Sequence, residues 1–217
     1  MNQYVWDLRS EPPVSVPGIL TQGPVQGYRV PSGTYTARLT LNGKTVTQTF
    51  EVTNDPREMQ SDDDQKRQVA MAKAANERIN EINQTAIDLR SIRDQLNAIS
   101  EHAAGRSDAQ DIAKSAKAIV DQIDWLEEKL VQPKQKTFQD VINFRNGIAA
   151  QYGYLQTAVE GDGGPVTTGE EQRFPDLEKQ WTGLREKVRG VLSDVASFNK
   201  KMKDMGISAI LVPSKMQ

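Results

Sequence analysis

Cysteine is absent from the 217 residues, and histidine occurs once, as His102. Without thiols there is no disulfide framework, no cysteine nucleophile and no Cys-ligated zinc, and one imidazole excludes the His-rich metal sites. Neither sign of charge dominates. The 27 Lys and Arg stand against 29 Asp and Glu, for a formal net charge of -2 and a pI near 5.6, so composition supplies no basic surface that would track nucleic-acid phosphates. Long hydrophobic runs are missing too: the C-terminal stretch Ile207 to Val212 falls well short of the roughly 18 apolar residues that mark a membrane helix. The opening MNQYVWDLRSEPP has no basic segment followed by an apolar one, so no signal peptide is expected in it. The expectation is a chain with no cofactor, no metal, no nucleic-acid partner and no membrane span.

Composition shifts near Asp55-Pro56, from Val, Thr, Tyr, Gly and Pro to Ala, Gln, Asp, Glu, Lys, Ile and Leu. This places a domain boundary there, with residues 1–55 as a β unit and 56–217 as a helical one. In the first unit, Thr34 to Leu41 and Lys44 to Val52 alternate around Asn42-Gly43. That dipeptide supplies the two positive φ angles of a type I′ hairpin turn. With Asn42 and Gly43 as the loop, Leu39 opposes Val46 and Tyr35 opposes Phe50 on one face, while Thr34, Thr36, Thr40, Thr45, Thr47 and Thr49 line the other. A further strand is expected at Tyr4 to Leu8. Pro12, Pro13, Pro17, Pro24 and Pro31 make the stretch between a loop or edge structure. Three strands are too few for a complete immunoglobulin-like sandwich of about seven. The sheet therefore needs cover, from the helices or from a partner.

The second unit reads as four helices, over about 61–104, 107–131, 138–159 and 170–205. Ser61 with Asp62, Asp63 and Asp64 forms an N-cap and an acidic first turn. An apolar seam follows through Val69, Ala72, Ala75, Ile79, Ile82, Ala86, Leu89 and Leu96, flanked by Ile92 and Ile99, with three- and four-residue spacing. Gly105 ends it, and Ser107 with Gln110 caps a second helix carrying Ile112, Ala116, Ile119, Ile123, Leu126 and Leu130, which Pro133 stops. The third carries Ile142, Ile148, Tyr152, Leu155 and Val159. The fourth is capped by Thr168 with Glu171, or starts at Pro175, and carries Leu177, Trp181, Leu184, Val188, Val191, Val195, Phe198 and Met202 up to a break at Gly206. The fold class is α+β, mainly α: a small antiparallel, partially immunoglobulin-like sheet followed by an up-down four-helix bundle.

Candidate chemistry is sparse. His102 suits the C-terminal end of the first helix, and no Ser-His-Asp set can be drawn from spacing. Asp62-Asp63-Asp64 lacks the alternate-position ligands and central glycine of a calcium loop. The carboxylate pairs Glu127-Glu128, Glu160 with Asp162 and Glu170-Glu171 read as solvated faces rather than an acid and base across a sugar cleft. Asn83-Gln84-Thr85 matches a glycosylation acceptor but sits within a helix. Gly161, Gly163 and Gly164 read as a hinge, since no strand precedes them and no GK[ST] follows. No catalytic, cofactor-binding or metal-binding residue is assigned. Trp6 and Trp181 fall at core-like positions, whereas Trp125 departs from the seam of its helix and suits an interdomain or partner contact. Trp125, Tyr35 and Phe50 are the candidate interaction surface.

NQYVWDLR, the hairpin PSGTYTARLTLNGKTVTQTFEV, NDPR and EEKLVQPKQK together resemble the C-terminal region of large bacterial sortilin-like or BNR-repeat β-propeller proteins, often labelled glycosyl hydrolases. The resemblance spans nearly the whole chain. It implies closing strands of an immunoglobulin-like domain followed by helices, an upstream propeller and immunoglobulin-like segment as partner, and an exported, periplasmic or extracellular location. The Asp-box repeats and the propeller itself are absent, so no catalytic residue carries over. The expected function is a non-catalytic accessory module that supports or orients such a propeller, or oligomerises it through copies of itself. The alternatives are a protein- or carbohydrate-interaction module using a strand edge or helix face and, last, part of a glycoside hydrolase.

Overall fold

A computed structural model describes residues 3–21, 26–57, 60–103, 110–161, 164–206 and 208–216. Two strands, β1 (Gly33–Leu41) and β2 (Lys44–Val52), precede four helices: α1 (Asp62–Ala103), α2 (Gln110–Leu130), α3 (Ile148–Gly161) and α4 (Thr168–Asp204). The small sheet followed by four helices matches the fold class read from the sequence. Ser61 caps α1 as expected, its hydroxyl oxygen accepting the Asp64 amide at 3.1 Å. The expected caps Gly105 and Ser107 lie outside the described residues, as do Asp162 and Gly163 of the proposed hinge. The cap of α4 is Thr167 rather than Thr168, paired reciprocally with Glu170, and Pro175 lies inside the helix. Gly206 adopts a left-handed φ of 69° beyond the last turn.

The helices run up, down, down and up, an arrangement that seam spacing does not encode. Arg90 meets Glu127 and Arg93 meets Asp124, so α2 runs antiparallel to the second half of α1. Gln68 and Asn76 meet Val159 and Gln156, so α3 runs antiparallel to the first half. The long α4 lies against both short helices, through Tyr152–Glu178 and Gln122–Asp194. Helices α2 and α3 thus act as one interrupted rod, and Gly147 makes the junction tight. A Cβ at that position would sit 2.5 Å from the Leu130 carbonyl oxygen. The third helix was expected from Phe138 but starts at Ile148. Phe138–Ile142 instead forms a 3-10 turn, held by Asp140, whose carboxylate accepts the amides of Lys136 and Thr137 at 2.7 and 2.8 Å. Ile142, assigned to the inward set, consequently stands exposed.

The remaining seams pack as spacing predicts. Ala72, Ala75, Ile82, Ala86, Leu89, Ile92 and Leu96 of α1 join the α2 seam, Tyr152 and Leu155 of α3, and Leu177, Trp181, Val191, Val195 and Met202 of α4 in one buried cluster. Val69, Ile99 and Leu184 lie at its half-buried margin. Removing such side chains from water is the main stabilising contribution, at about 25 cal/mol per Å² of apolar surface.

The Pro-rich stretch is a strap across α1 and α3. Val16 enters the core, and Ile19 and Tyr28 pack against it. Its backbone is tied down by side chains: the Val14 amide donates to Asn80 Oδ1, Asn83 donates to the Val14 carbonyl, Arg90 to the Pro17 carbonyl, and Asn76 to the Gln26 carbonyl. Proline lacks amide donors, and the segment's carbonyls are satisfied by helix side chains instead of a ladder. The strand expected at Tyr4 to Leu8 does not form. Only an isolated bridge between Arg9 and Arg29 appears there, because Leu8 turns to φ 60° and its neighbours close onto the strap. Residues before Pro56 therefore serve two places: a strap on the helices and a hairpin beside them.

Candidate functional site

The hairpin has the register expected of it. Tyr35 pairs with Phe50, Leu39 with Val46 and Thr40 with Thr45, and Asn42 and Gly43 take φ values of 50° and 75°, as a type I′ turn requires. Tyr35, Ala37, Leu39 and Leu41 share one face with Val46, Phe50 and Val52. The opposite face carries the threonines, with Thr40 and Thr45 hydroxyls 2.9 Å apart.

Cover for the apolar face is partial and comes from the N-terminal segment, not the helices. Trp6 packs on Tyr35 and Phe50 with ring centroids 5.2 and 6.1 Å away, and Tyr35 and Phe50 are themselves 6.2 Å apart. The Trp6 indole donates to the Arg9 carbonyl at 2.8 Å and the Tyr35 hydroxyl to the Pro31 carbonyl at 2.7 Å, which fixes this aromatic cluster at the hairpin base. Trp6 thus sits in an irregular segment instead of a strand. Toward the turn the face stays open among the described residues: Leu39 is 70% and Val46 68% exposed. Among the described residues the sheet has two strands, so each nine-residue strand also presents an outer edge without a neighbouring strand.

Trp125, the third candidate, is not brought to Tyr35 and Phe50. It stands 46% exposed on α2, with the Lys129 ammonium 5.5 Å from its ring centroid, and it borders Lys187 and Val191 of α4. Its ring neighbours lie on α2 and α4, and it stands at the rim of a cleft between α2, α3 and α4.

Two of the carboxylates flagged in the sequence, Glu127 and Glu160, are buried structural groups, contrary to the solvated-face expectation. Glu127 is 3% exposed and lies between the guanidinium groups of Arg90 and Arg93. Glu160 accepts from the Arg9 side chain at 2.8 Å and from the Arg29 amide at 2.7 Å, locking strap to α3. Buried charges need such partners, and each is satisfied by an arginine distant in sequence. Glu170 caps α4, while Asp63 and Asp64 pair with Lys66 and Arg67 in the first turn of α1. Asn83 spends its amide on the Val14 carbonyl and is buried, which removes it as a glycan acceptor in the folded chain. His102 is exposed, its Nδ1 2.6 Å from the Ala98 carbonyl at the end of α1, the local role expected.

One polar cluster had no sequence signal. Tyr152 of α3 donates to Glu178 of α4 at 2.6 Å, and Arg78 of α1 donates to the same carboxylate at 2.8 and 3.2 Å. Burial alone would raise the Glu178 carboxyl, but the bonds from Arg78 and Tyr152 outweigh it and hold the group below its ordinary value. Burial, then the bond to Glu178, pushes the Tyr152 hydroxyl far above the usual tyrosine range. The cluster ties three helices together.

Among the described residues, no group of three or more His, Asp or Glu side chains is placed to hold a metal ion, and no helix is long and apolar enough to cross a membrane. No protein-family model, curated protein or solved structure matches this chain.

Proposed function

We propose that this chain is a non-catalytic accessory module in which a helical scaffold presents a β-hairpin to a strand-bearing partner. The observation that carries this reading is the uncovered half of the hairpin's apolar face, where Leu39 and Val46 pair in register yet stay about 70% exposed. A two-stranded sheet is marginal by itself, and a third strand or a second sheet is the usual remedy. The free edges suit strand addition, and the alternating face suits a sheet packed on top. The partner that best fits is the immunoglobulin-like segment of a β-propeller protein, as the sequence resemblance implies, placing the module outside the cytoplasm of a bacterium and next to the propeller it supports.

The test is amide hydrogen exchange across Thr34 to Val52, in the isolated chain and in the chain joined to that immunoglobulin-like and propeller segment. Slower exchange along one hairpin edge in the longer protein supports the reading. Unchanged exchange beside a folded upstream segment overturns it. A concentration-dependent dimer by light scattering that Leu39→Asp abolishes would instead make a second copy of this chain the occupant.

A further inference from the structure

Four cations converge where the helical rod is broken. Lys129 of α2, Arg145 of the connection, Arg173 and Lys187 of α4 line one cleft of about 810 Å³, within the size range of small-ligand sites. Its one acidic lining residue, Glu128, is already engaged by Lys134 at 2.6 Å. No carboxylate among the described residues pairs with any of the four cations. Most arginines of the helical unit hold a carboxylate, so Arg145 and Arg173 stand apart from them, and together with Lys129 and Lys187 they leave a local excess of positive charge on a chain of net charge -2.

The cleft is also organised. Arg173 donates to Gln151 Oε1 at 2.7 Å, Gln151 donates in turn to the Asn146 carbonyl at 3.2 Å, and Gln135 donates to Asn146 Oδ1 at 2.8 Å. Buried Gln132 donates to the Arg145 carbonyl at 3.1 Å from a left-handed backbone with φ 51°. A non-glycine residue held in that region signals local strain that the surroundings must enforce. These bonds fix the wall that carries Arg145 and Arg173. Trp125 stands at the rim, and the Gln180 side chain adds an amide to the lining.

We infer that this cleft binds an acidic saccharide, a short glycan bearing carboxylate or sulfate groups. Arginine and lysine suit those anions, side-chain amides suit ring hydroxyls, and an exposed indole suits the apolar face of a pyranose. An acidic peptide fits less well. The walls are helix and turn, whose backbone groups are bonded within the chain, so no strand edge is offered to a peptide backbone. The inference does not rest on docking by the hairpin.

Isothermal titration of the intact chain tests it, with a sulfated tetrasaccharide, a tetragalacturonate, neutral cellotetraose, ADP and sodium sulfate as probes. One or both acidic tetrasaccharides should bind and cellotetraose should not. Arg145→Ser and Lys187→Ser should each weaken binding by about tenfold, as expected for loss of a charged hydrogen-bond partner, and Trp125→Ala by a smaller factor. Both cations are exposed, so these variants should keep the wild-type circular dichroism. Leu39→Asp should bind like the wild type, which separates this site from the hairpin. Failure of both acidic tetrasaccharides to bind, wild-type affinity in the Arg145→Ser/Lys187→Ser double variant, or equal affinity for ADP or sulfate would overturn the inference.

Discussion

The hairpin and the helical unit are built from equally regular sequence patterns, yet they stand differently toward water. In the helices every apolar seam has an opposing seam, and Trp181, Tyr152 and Leu89 are closed off completely or nearly so. In the hairpin the alternation is just as clean, but Leu39, Leu41 and Val46 stay largely exposed. Amphipathic patterning specifies a face that is fit for burial. Whether burial happens depends on a complementary surface within reach, and three helical rods supply one another with that surface while two strands cannot. The difference marks the helices as scaffold and the hairpin as the part with unfinished contacts.

The sharpest way to break this comparison is to truncate one aromatic in each region. Trp181→Ala should cost about 3–5 kcal/mol as a large cavity opens in the core, whereas Phe50→Ala should move the urea midpoint of the helical transition by less than about 0.5 kcal/mol equivalent. Equal losses would mean that hairpin and helices unfold as one unit. Next in size is Glu127→Ala, which removes the carboxylate between Arg90 and Arg93 at the α1–α2 interface but leaves Arg93 with Asp124 and Arg90 with the Pro17 carbonyl. Breaking buried pairs costs about 3–5 kcal/mol, and these remaining partners, with the partial exposure of both arginines, put the expected value at or below the lower end, read by the same denaturation.

Tyr152→Phe should cost roughly 1.5–3 kcal/mol at neutral pH through the lost bond to a carboxylate, and its pH dependence sharpens the assignment. The folded tyrosine titrates above its ordinary value of 10.0, so its contribution is present below pH 10 and lost as pH rises beyond it. The Phe variant should lack that alkaline loss. Glu178 titrates below its ordinary 4.5, so its contribution is present above that pH and lost as pH falls toward the folded value. Thermal melts from pH 3 to 11 would show both arms in the wild type. The smallest effect is expected for Leu39→Thr with Val46→Thr, within about 0.5 kcal/mol in the isolated chain. Those exposed residues contribute to stability only when something covers them, so a markedly lower melting temperature would mean the face is already occupied.

Much of this was legible beforehand. The Ser61 cap, the α1, α2 and α4 seams and the Asn42-Gly43 turn are local signals, with cause and effect a few residues apart. The start of the third helix is not legible in the spacing, because Phe138 to Ile142 carries apolar spacing, while the deciding contacts, Asp140 with Lys136 and the close approach of Gly147 to Leu130, involve backbone geometry that spacing does not record. Of the three candidate surface residues, Tyr35 and Phe50 were placed correctly opposite one another. Their cover by Trp6 was missed, since Trp6 reads as strand. Trp125 was singled out because it leaves its seam, but the cations around it come from three separate segments.

What the sequence determined by itself, then, is the set of elements and the face each one would bury. Hydrophobic periodicity and turn chemistry act within one turn or one hairpin. The tertiary structure alone decided that a proline-rich strap would clamp α1 to α3, that Glu127 and Glu160 would be buried against arginines, and that Lys129, Arg145, Arg173 and Lys187 would meet in one cleft. Arg9 and Glu160 are 151 residues apart along the chain. Coulomb attraction and hydrogen bonding act through space, so such partners become neighbours only after the helices have packed.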